Sequence, residues 1–402
     1  MELTNYYFKG RIFTGSDFVE DGAIVINSDS GLIVRAGNHS EIQNLENTVD
    51  VSVTGATALP GLIDAHMHFL GTKTFDNLEF ISTPETLTAL RCVSDLRKLL
   101  FAGFTSVRDV GSKIGPYLRR AIDEGYLEGP TVISSGRSLA QTGGDDDLIR
   151  LPLDISHKLS YSYYADGPWM CRKAVRLVAR DGAKVVKVYA SGSLDQAIEE
   201  GTKINRQFTV EELKAIADEA HSMGLKVAAH AYGEVAIMNS LEAGVDSIEH
   251  GVGLTEEVCV RMKKQGTFYV PTLSVYLAIM PKLSPWMRDL VNNHISRDVA
   301  MAHKHGVTIV CGTDYGGNDL SPHGQNYREI VELSKIIGNK EALIASTRNG
   351  ASCLGLSDCG SIKEGFSADL LVVRGNPGED VEALNPQNVL MVFKKGKLYK
   401  IR

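Results

Sequence analysis

The feature that most constrains the fold is a repeated alternation of strand-length apolar runs with amphipathic helical patterns. Eight such runs occur, at Ala58–Phe69, Thr105–Val110, Thr131–Ser135, Lys184–Ala190, Lys226–Ala231, Ser247–His250, Phe268–Leu273 and Val307–Thr313. Helical spacing of apolar residues separates most of them, at Leu87–Phe101, Ile114–Glu124, Trp169–Arg180, Val210–Met223, Val235–Ala243 and Thr255–Lys264. Strands that alternate with helices predict a parallel sheet, and eight such units favour a closed α/β barrel of the (β/α)8, or TIM, type over an open sheet.

Both ends of the chain carry a different pattern, in which short strands are separated by turn residues. These strands are Tyr6–Phe13, Ala23–Ile26 and Leu32–Arg35 near the N-terminus, and Ala368–Val373, Val389–Phe393 and Lys397–Ile401 near the C-terminus. We therefore predict a small β-sandwich domain built from residues 1–57 and 357–402, beside a distorted (β/α)8 barrel of residues 58–356.

Composition and charge exclude several classes of protein. The net charge of -7 lacks the basic excess of a nucleic-acid-binding protein. The sequence shows no run of 18 apolar residues and no signal-peptide pattern. The six cysteines form no CxxC pair, which favours a reducing compartment. We expect a cytoplasmic homo-oligomer with no nucleic-acid or membrane partner.

Histidines and an acid stand where the predicted strands end. Residues i and i+2 of a strand point to the same side, so His66 and His68, which close the first strand, can enter the barrel mouth together. Active sites of such barrels lie at the C-terminal ends of the strands. The other candidates at that end are Lys187 in the fourth strand, His230 in the fifth, His250 in the sixth and Asp314 in the eighth.

Taken singly, each of these residues has a plain structural interpretation. A lone histidine at a strand end is usually a hydrogen-bonded structural residue, and Asp314 would also suit a turn. Lys187 is different, because a charged amine flanked by valines is costly to bury. It must reach solvent, pair with an anion or be modified. Together the six positions favour a metal site.

These residues also carry a family resemblance. Pro60–His68, Lys187, His230, Ile248–Gly251 and Gly312–Asp314 resemble the amidohydrolase superfamily. Further segments resemble its prolidase-like branch of metal-dependent dipeptidases and carboxypeptidases, which is related to imidazolonepropionase. These segments are Ala102–Asp109, Asp181–Lys187, Phe208–Leu213, Ala243–Gly251 and Thr347–Leu370. The resemblance covers nearly the whole chain.

The resemblance implies a site with two divalent metal ions. His66, His68 and Asp314 would hold one ion, and His230 and His250 would hold the other. Lys187 would be N-carboxylated and bridge them. Zinc suits these ligands, although manganese, cobalt or iron stay open. The implied reaction is hydrolysis of an amide bond, of the peptide or N-acyl amino acid type, by metal-activated hydroxide. A small-molecule or dipeptide substrate is implied, with cleavage most similar to that by an Xaa-Pro dipeptidase.

Residues on the substrate side are less constrained. Asp314 would act as general base and then as general acid. Tyr232 faces the same way as His230 and would touch the substrate or simply pack. His323 lies in a segment similar to the His-Gly-x-Asn of the branch and would be catalytic, substrate-binding or loop-ordering. Arg108 and Asp109 would pair with each other or line the barrel.

One segment departs from the resembling branch. Where that branch often has Thr-Gly-Gly-His, this chain has Gln141–Asp147, so that Asp145 replaces a histidine expected at the rim of the site. The three acids there favour a basic side chain or an amine in the substrate, or else form a solvated acidic loop. The loop 148–169, rich in tyrosine and serine, would be a mobile lid or a subunit contact.

Two other functions stay open. A cyclic amidohydrolase or a deaminase that acts on a small ring would share the fold. A non-catalytic scaffold would lack some of the ligands, and all six are present here.

Overall fold

Strands from both ends of the chain pair in one sheet. The computed structural model describes residues 5–42, 48–74, 76–194, 196–197 and 204–401. The eight strands of this sheet are β1 (Asn5–Phe13), β2 (Phe18–Asn27), β3 (Leu32–Asn38), β4 (Thr48–Asp50), β5 (Ala56–Pro60), β15 (Leu370–Arg374), β16 (Val389–Lys394) and β17 (Lys397–Ile401). Their order is β17-β16-β15-β5-β1-β2-β3, and β4 also pairs with β1. The two ends therefore meet as the sequence predicts, while a sandwich of two sheets stays a prediction.

The middle of the chain forms two parallel sheets. One has the order β6-β7-β8, and the other has the order β10-β9-β11-β12-β13-β14. The strands are β6 (Leu62–Met67), β7 (Phe104–Asp109), β8 (Thr131–Ser134), β9 (Ser138–Ala140), β10 (Ser162–Tyr164), β11 (Val185–Tyr189), β12 (Lys226–Ala231), β13 (Ser247–His250) and β14 (Phe268–Val270). Parallel order places the C-terminal ends of these strands, and the residues that follow them, along one edge.

The first predicted strand, Ala58–Phe69, divides at Gly61 into β5 and β6. The amide of Gly61 donates to the carbonyl of Asp369, and a methyl group on Gly61 would collide with the side chain of Thr105. A residue without a side chain is therefore needed where the chain passes from the terminal sheet into the parallel strands.

The prediction of an eighth strand at Val307–Thr313 is wrong, because this segment forms no regular strand. Ile309 forms only an isolated bridge to Tyr269. The segment divides its backbone hydrogen bonds among several neighbours, because Val310 N donates to Tyr269 and Ala65 N donates to Cys311. No continuous ladder forms, but these bonds still hold the segment between β14 and β6.

Helices connect the strands and lie against them. They are α1 (Asn77–Ser82), α2 (Glu85–Phe101), α3 (Gly115–Asp123), α4 (Leu153–Leu159), α5 (Pro168–Arg180), α6 (Val210–Ser222), α7 (Glu234–Ala243), α8 (Glu256–Gln265), α9 (Leu273–Ile279), α10 (Pro285–Asn293), α11 (Val299–Lys304), α12 (Tyr327–Ile337), α13 (Asn339–Ala345) and α14 (Arg348–Leu354). All six predicted helices are confirmed within two residues at each end. Thr209 and Glu212 form a reciprocal capping box before α6.

One hydrophobic core joins these layers. It contains side chains of the parallel strands and their helices, and also Leu371, Val373 and Val392 of the terminal sheet. The other face of that sheet packs on its own cluster, which includes Phe8, Ile24 and Phe393. Among the described residues, no helix is both long and apolar enough to cross a membrane.

Candidate metal centre and active site

His66 lies at the end of β6 with each ring nitrogen in a defined role. Its Nδ1 is 2.7 Å from Glu249 Oε2, and both side chains are fully buried. Burial raises the pKa of Glu249, but the Arg108 guanidinium and His66 outweigh it and bring the pKa to about 2. Glu249 is therefore an anionic acceptor, and Nδ1 of His66 carries the proton. Nε2 of the same ring is buried, and no hydrogen bond of good geometry reaches it.

His68 is oriented in the same manner, two residues further on. Its Nδ1 lies 3.0 Å from the carbonyl oxygen of Gly111, which can only accept, so that Nδ1 is the donor. Its Nε2 lies 3.0 Å from Asp314 Oδ1. Nε2 of His66 is 3.3 Å from the same oxygen.

Three acceptor atoms thus converge on one point. The ligand atoms of His66, His68 and Asp314 all lie within 4.8 Å of one another. Burial acts to raise the pKa of Asp314, but the neighbouring imidazoles hold it well below its usual range, so the carboxylate is anionic. Two imidazole nitrogens directed at one carboxylate oxygen need a cation between them, which is either a proton on an imidazole or a metal ion. Two imidazoles and a carboxylate suit a divalent transition metal, so the three residues fit a metal ion.

His230 and His250 lie beside this cluster at the ends of β12 and β13. Their ring centroids are 4.5 Å apart, and the His250 ring is 4.9 Å from that of His66. His230 Nε2 is 3.2 Å from the carbonyl oxygen of Gly192, and His250 Nδ1 is 2.8 Å from the hydroxyl of Thr272. Burial, together with nearby charged groups, lowers the pKa of both rings well below the usual value. Neutral imidazole is the form that binds metal.

Lys187 lies inside β11 and its side chain is only 1% exposed. Its Nζ is 5.2 Å from the centroid of the Tyr189 ring. Burial lowers the pKa of the amine, although the carboxylates of Glu249 and Asp314 oppose this. All six predicted ligands line one cavity. Of these six, the histidines and acid whose ligand atoms lie close enough together to bind one ion, within 4.8 Å, are His66, His68 and Asp314.

Positive φ angles occur at two of these strand ends. His250 has φ 67° and Asp314 has φ 59°, which is uncommon for residues other than glycine. This conformation turns the chain sharply as it leaves the strand, and such strain concentrates at functional sites. Of the two, aspartate adopts this conformation more readily.

Arg108 and Glu249 are functional residues whose role the sequence analysis missed. Arg108 Nη2 is 2.7 Å from Glu249 Oε1, and its Nε donates to the carbonyl of Ala65. The predicted pairing of Arg108 with Asp109 is wrong, because Asp109 instead accepts hydrogen bonds from Ser112 and Ser134 at 2.7 and 2.6 Å. The sequence did carry a signal for Glu249, because an acid within the apolar run Ser247–His250 must be buried. Lys187 between valines was recognised by the same kind of signal.

Asp64 is a third missed residue, two positions before His66. Its carboxylate accepts from the Thr313 hydroxyl and from Asn326 Nδ2, both at 2.7 Å, and from the His66 amide at 3.1 Å. This buried carboxylate ties β6 to the residue that precedes Asp314. It therefore fixes the spacing between β6, which carries His66, and the segment that carries Asp314.

A single cavity of about 210 Å³ opens above these residues. Tyr232 lies on its wall, with its hydroxyl 2.5 Å from that of Tyr276 and its ring tilted by 33° against that of His230. Asp145 also lies on the wall. Tyr161, from the predicted lid, also lies on the wall and contacts Phe80, with ring centroids 5.0 Å apart.

His323 is placed behind the cavity. It is buried, its Nε2 lies 3.0 Å from the carbonyl oxygen of His68, and its ring contacts Phe69. Because it is absent from the cavity wall, this geometry supports a role in positioning His68. A catalytic or substrate-binding role for His323 stays a prediction.

Comparison with known proteins identifies the family. A model described as the amidohydrolase family matches residues 57–399. The chain belongs to this family. Ochratoxinase from Aspergillus niger is 34% identical over 429 aligned residues, which cover 98% of this chain and 86% of that protein. Its crystal structure superimposes with a TM-score of 0.89 at 30% identity, covering 100% of this chain and 97% of the other.

Other members of the amidohydrolase family are similar along nearly their whole length. The crystal structure of a Xaa-Pro dipeptidase with methionine bound in the active site has a TM-score of 0.85 at 30% identity, covering 98% of this chain and 100% of that one. A probable imidazolonepropionase from Danio rerio is 26% identical, covering 88% of this chain and 83% of that protein. The chain is thus an amidohydrolase of the prolidase-like, imidazolonepropionase-related group.

Proposed function

We propose that this amidohydrolase is a metal-dependent enzyme that cleaves an amide bond of the peptide or N-acyl amino acid type, in the manner of a dipeptidase or carboxypeptidase. The observation that carries the proposal is the convergence of His66 Nε2, His68 Nε2 and Asp314 Oδ1 within 4.8 Å at strand ends. The likeness to a Xaa-Pro dipeptidase supports a dipeptide substrate.

The proposal extends to two metal ions, with zinc as the expected metal. His66, His68 and Asp314 would hold one ion, and His230 and His250 the other, with an N-carboxylated Lys187 between them. When bound, such ions supply a Lewis acid for the scissile carbonyl and lower the pKa of water. A lowered amine pKa favours this modification, because the neutral amine is the form that reacts with carbon dioxide.

Side chains of the protein itself provide proton transfer, stabilisation of the carbonyl oxygen and orientation of His66. Asp314, held as an anion, accepts the proton of the attacking water on a carboxylate oxygen and passes it to the leaving nitrogen. Tyr232 Oη, on the cavity wall, donates a hydrogen bond to the carbonyl oxygen as negative charge develops there. Glu249 and Arg108 keep the His66 ring in its metal-binding tautomer.

The proposed site presumes that the two parallel sheets close into a distorted (β/α)8 barrel. Two hydrogen bonds support closure, since Lys184 N donates to Ser134 and Ala65 N donates to Cys311. The cytoplasmic location and the homo-oligomer likewise stay predictions, and sedimentation analysis of the purified protein tests the latter.

The test is an assay of purified, metal-loaded protein against libraries of dipeptides and N-acyl amino acids. We expect turnover of at least one class, its loss after chelation, and two metal ions per chain. If no carbon–nitrogen bond is cleaved in a metal-dependent manner, the proposal is wrong. Cleavage of cyclic amides alone would support a function like that of imidazolonepropionase, with which the chain shares 26% identity.

A further inference from the structure

A single π-helical turn, His294–Asp298, separates α10 from α11. Turns of this kind are rare and occur frequently at functional sites. The two residues that bound the turn are buried, with His294 0% exposed and Asp298 1% exposed. Neither side chain lines the active-site cavity, so that any effect of theirs on the site must pass through other residues.

The His294 ring joins this turn to the end of β14. Its Nε2 lies 3.0 Å from the carbonyl oxygen of Pro271, which can only accept, so that Nε2 carries a proton. Its Nδ1 faces Asp298 Oδ2 at 3.4 Å. The ring also packs edge-to-face against Tyr276, with centroids 5.4 Å apart. His294 therefore holds the Pro271 carbonyl from outside the cavity.

Asp298 joins the same turn to the chain that leaves β13. Its Oδ2 accepts from the amide of Gly253 at 2.7 Å, three residues after His250. Burial raises the pKa of Asp298, but hydrogen bonds with His294 and the Gly253 amide outweigh it and lower the pKa, so the carboxylate is anionic. His294 and Asp298, here called the clamp, thus hold the backbone where it leaves both β13 and β14.

Two residues at these exits have left-handed backbone conformations. Thr272, which follows Pro271, has φ 54°, and His250 has φ 67°. A β-branched residue such as threonine is a clear outlier in this region. Such a conformation persists only where the surrounding structure imposes it. The hydrogen bonds of the clamp to the Pro271 carbonyl and the Gly253 amide are contacts of this kind.

The conformation of Thr272 has a chemical consequence. It places the Thr272 hydroxyl 2.8 Å from Nδ1 of His250. A histidine that binds metal through one ring nitrogen generally donates the hydrogen of the other to an oxygen, and that partner fixes the tautomer and the orientation of the ring. With Thr272 as the acceptor, Nε2 of His250 carries the lone pair that a metal ion needs.

We propose that the clamp positions His250, by holding the two backbone segments that place His250 and its partner Thr272. The inference rests on the function proposed above, in which His250 binds the second metal ion. Without the clamp, Thr272 relaxes from its left-handed conformation and its hydroxyl leaves His250 Nδ1. Within the described part of the chain, neither clamp side chain contacts the three ligands of the first ion. Loss of the clamp therefore affects the second ion alone.

Three substitutions of His294 separate its contacts. The amide nitrogen of glutamine reaches the position of Nε2 and can donate to Pro271, whereas that of asparagine reaches only the position of Nδ1. Phenylalanine keeps the packing against Tyr276 and loses both polar contacts. We expect His294→Phe and His294→Asn to bind the second ion at least about tenfold more weakly than wild type, and His294→Gln to keep most of the affinity.

The measurement is a chelator titration of the Co²⁺-loaded protein, in which visible absorption counts the ions that stay bound. Val299→Ala is the control, because it removes buried apolar atoms next to Asp298. This variant should unfold at lower urea concentration than wild type and still bind both ions with wild-type affinity. A weakened second ion in Val299→Ala would overturn the inference, because general destabilisation would then explain the effect.

Thr272→Val tests whether His294 acts through the Thr272 hydroxyl. This variant should weaken the second ion by a factor similar to that of His294→Phe. The double variant should bind it no more weakly than the worse single variant, because both substitutions remove one interaction. Additive losses would overturn the proposed route.

The remaining outcomes are equally decisive. A wild-type protein that binds one Co²⁺ ion, wild-type affinity in His294→Phe, or equal loss of both ions would overturn the inference. If His294→Phe does not fold, equal affinities in His294→Gln and His294→Asn would overturn it. Amide cleavage is a separate measurement. If no amide is cleaved but the second ion depends on His294 as described, the proposed reaction fails while the positioning role stands. If amides are cleaved and all variants bind both ions alike, the reverse holds.

Discussion

At the scale of single residues, Lys187 is the group most constrained by its surroundings. Its amine is buried beside the Tyr189 ring, on a cavity wall that also carries four histidines, and burial lowers its pKa. A buried cation here would also repel the metal ions proposed for the same cavity. Carboxylation converts the amine into an anion with two oxygen ligands, which removes both difficulties.

The first prediction concerns this lysine. Lys187→Ala should lose bound metal and activity together, and a short-chain carboxylic acid should restore part of both by supplying the missing oxygen ligands. Metal content per chain and turnover are the measurements. Lys184→Ala is the control, because that exposed lysine lies three residues away. Wild-type metal content in Lys187→Ala would exclude the bridge.

Glu249 acts at the same scale, through His66. Its carboxylate lies between the His66 ring and the Arg108 guanidinium, at 2.7 Å from each. Glu249→Gln should weaken metal binding by about 10- to 100-fold, as expected when a partner that orients a ligand is lost. Competition with a chelator measures this affinity. Glu242→Gln, at an exposed ion pair with Lys214, should leave it unchanged.

At the scale of elements, α12 holds the start of α9 through a single buried side chain. Glu329 accepts from the amides of Leu273 and Ser274 at 2.9 and 2.7 Å. Burial raises the pKa of this carboxyl from 4.5 to about 8, although both hydrogen bonds oppose the change. Folding therefore favours the protonated form of Glu329, because burial of its charge costs more than the two hydrogen bonds to the carboxylate regain.

The pH dependence of stability follows from this shift. The pKa is raised on folding, so the stabilisation by Glu329 is complete below about pH 4.5 and is lost as the pH rises towards about 8. In that window it falls by roughly 1.4 kcal/mol per pH unit. Glu329→Gln should therefore gain stability relative to wild type between pH 5 and pH 7.5, measured by urea unfolding. Glu332→Gln, on the same helix, should show no such trend.

Local patterns predicted most of these elements, and tertiary contacts decided the rest. The six amphipathic helices were predictable because each shows apolar spacing along its whole length. The segment before Asp314 was not, because its hydrogen bonds are divided among Tyr269, Ala65 and Ala345, which are distant in sequence. The six candidate ligands were predictable from the sequence, five from predicted strand ends and Lys187 from its place between valines, whereas Glu249 and Asp64 contact His66 and needed coordinates to be recognised.

At the scale of the whole molecule, Lys394 of the terminal sheet forms a buried ion pair within that sheet and also contacts the start of a parallel strand. Lys394 on β16 contacts Asp369 Oδ2 at 2.5 Å and Thr131 Oγ1, at the start of β8, at 2.7 Å. The two charged side chains are only 8% and 5% exposed. The terminal sheet is thus attached to the rest of the molecule by a polar contact as well as by the shared core.

Removal of this contact should destabilise the protein as one unit. Lys394→Met leaves Asp369 buried without its partner and should lower the free energy of unfolding by about 3 to 5 kcal/mol. Lys397→Met is the control, because Lys397 pairs with Glu128 at 2.9 Å while both are more than half exposed, and it should cost less than about 1 kcal/mol. Thermal and urea unfolding measure both. Equal effects would contradict this assignment.

The pairing of β5 with β15 has a consequence for biosynthesis. β5 is entirely buried in the finished protein, and one of its edges is covered only by a strand that lies about 300 residues later in the chain. At bacterial or eukaryotic translation rates of about 5 to 20 residues per second, that edge stays open for roughly 15 to 60 s on the ribosome. An open apolar strand edge is a template for aggregation. We therefore expect nascent chains of this protein to depend on chaperones until β15 emerges and pairs with β5.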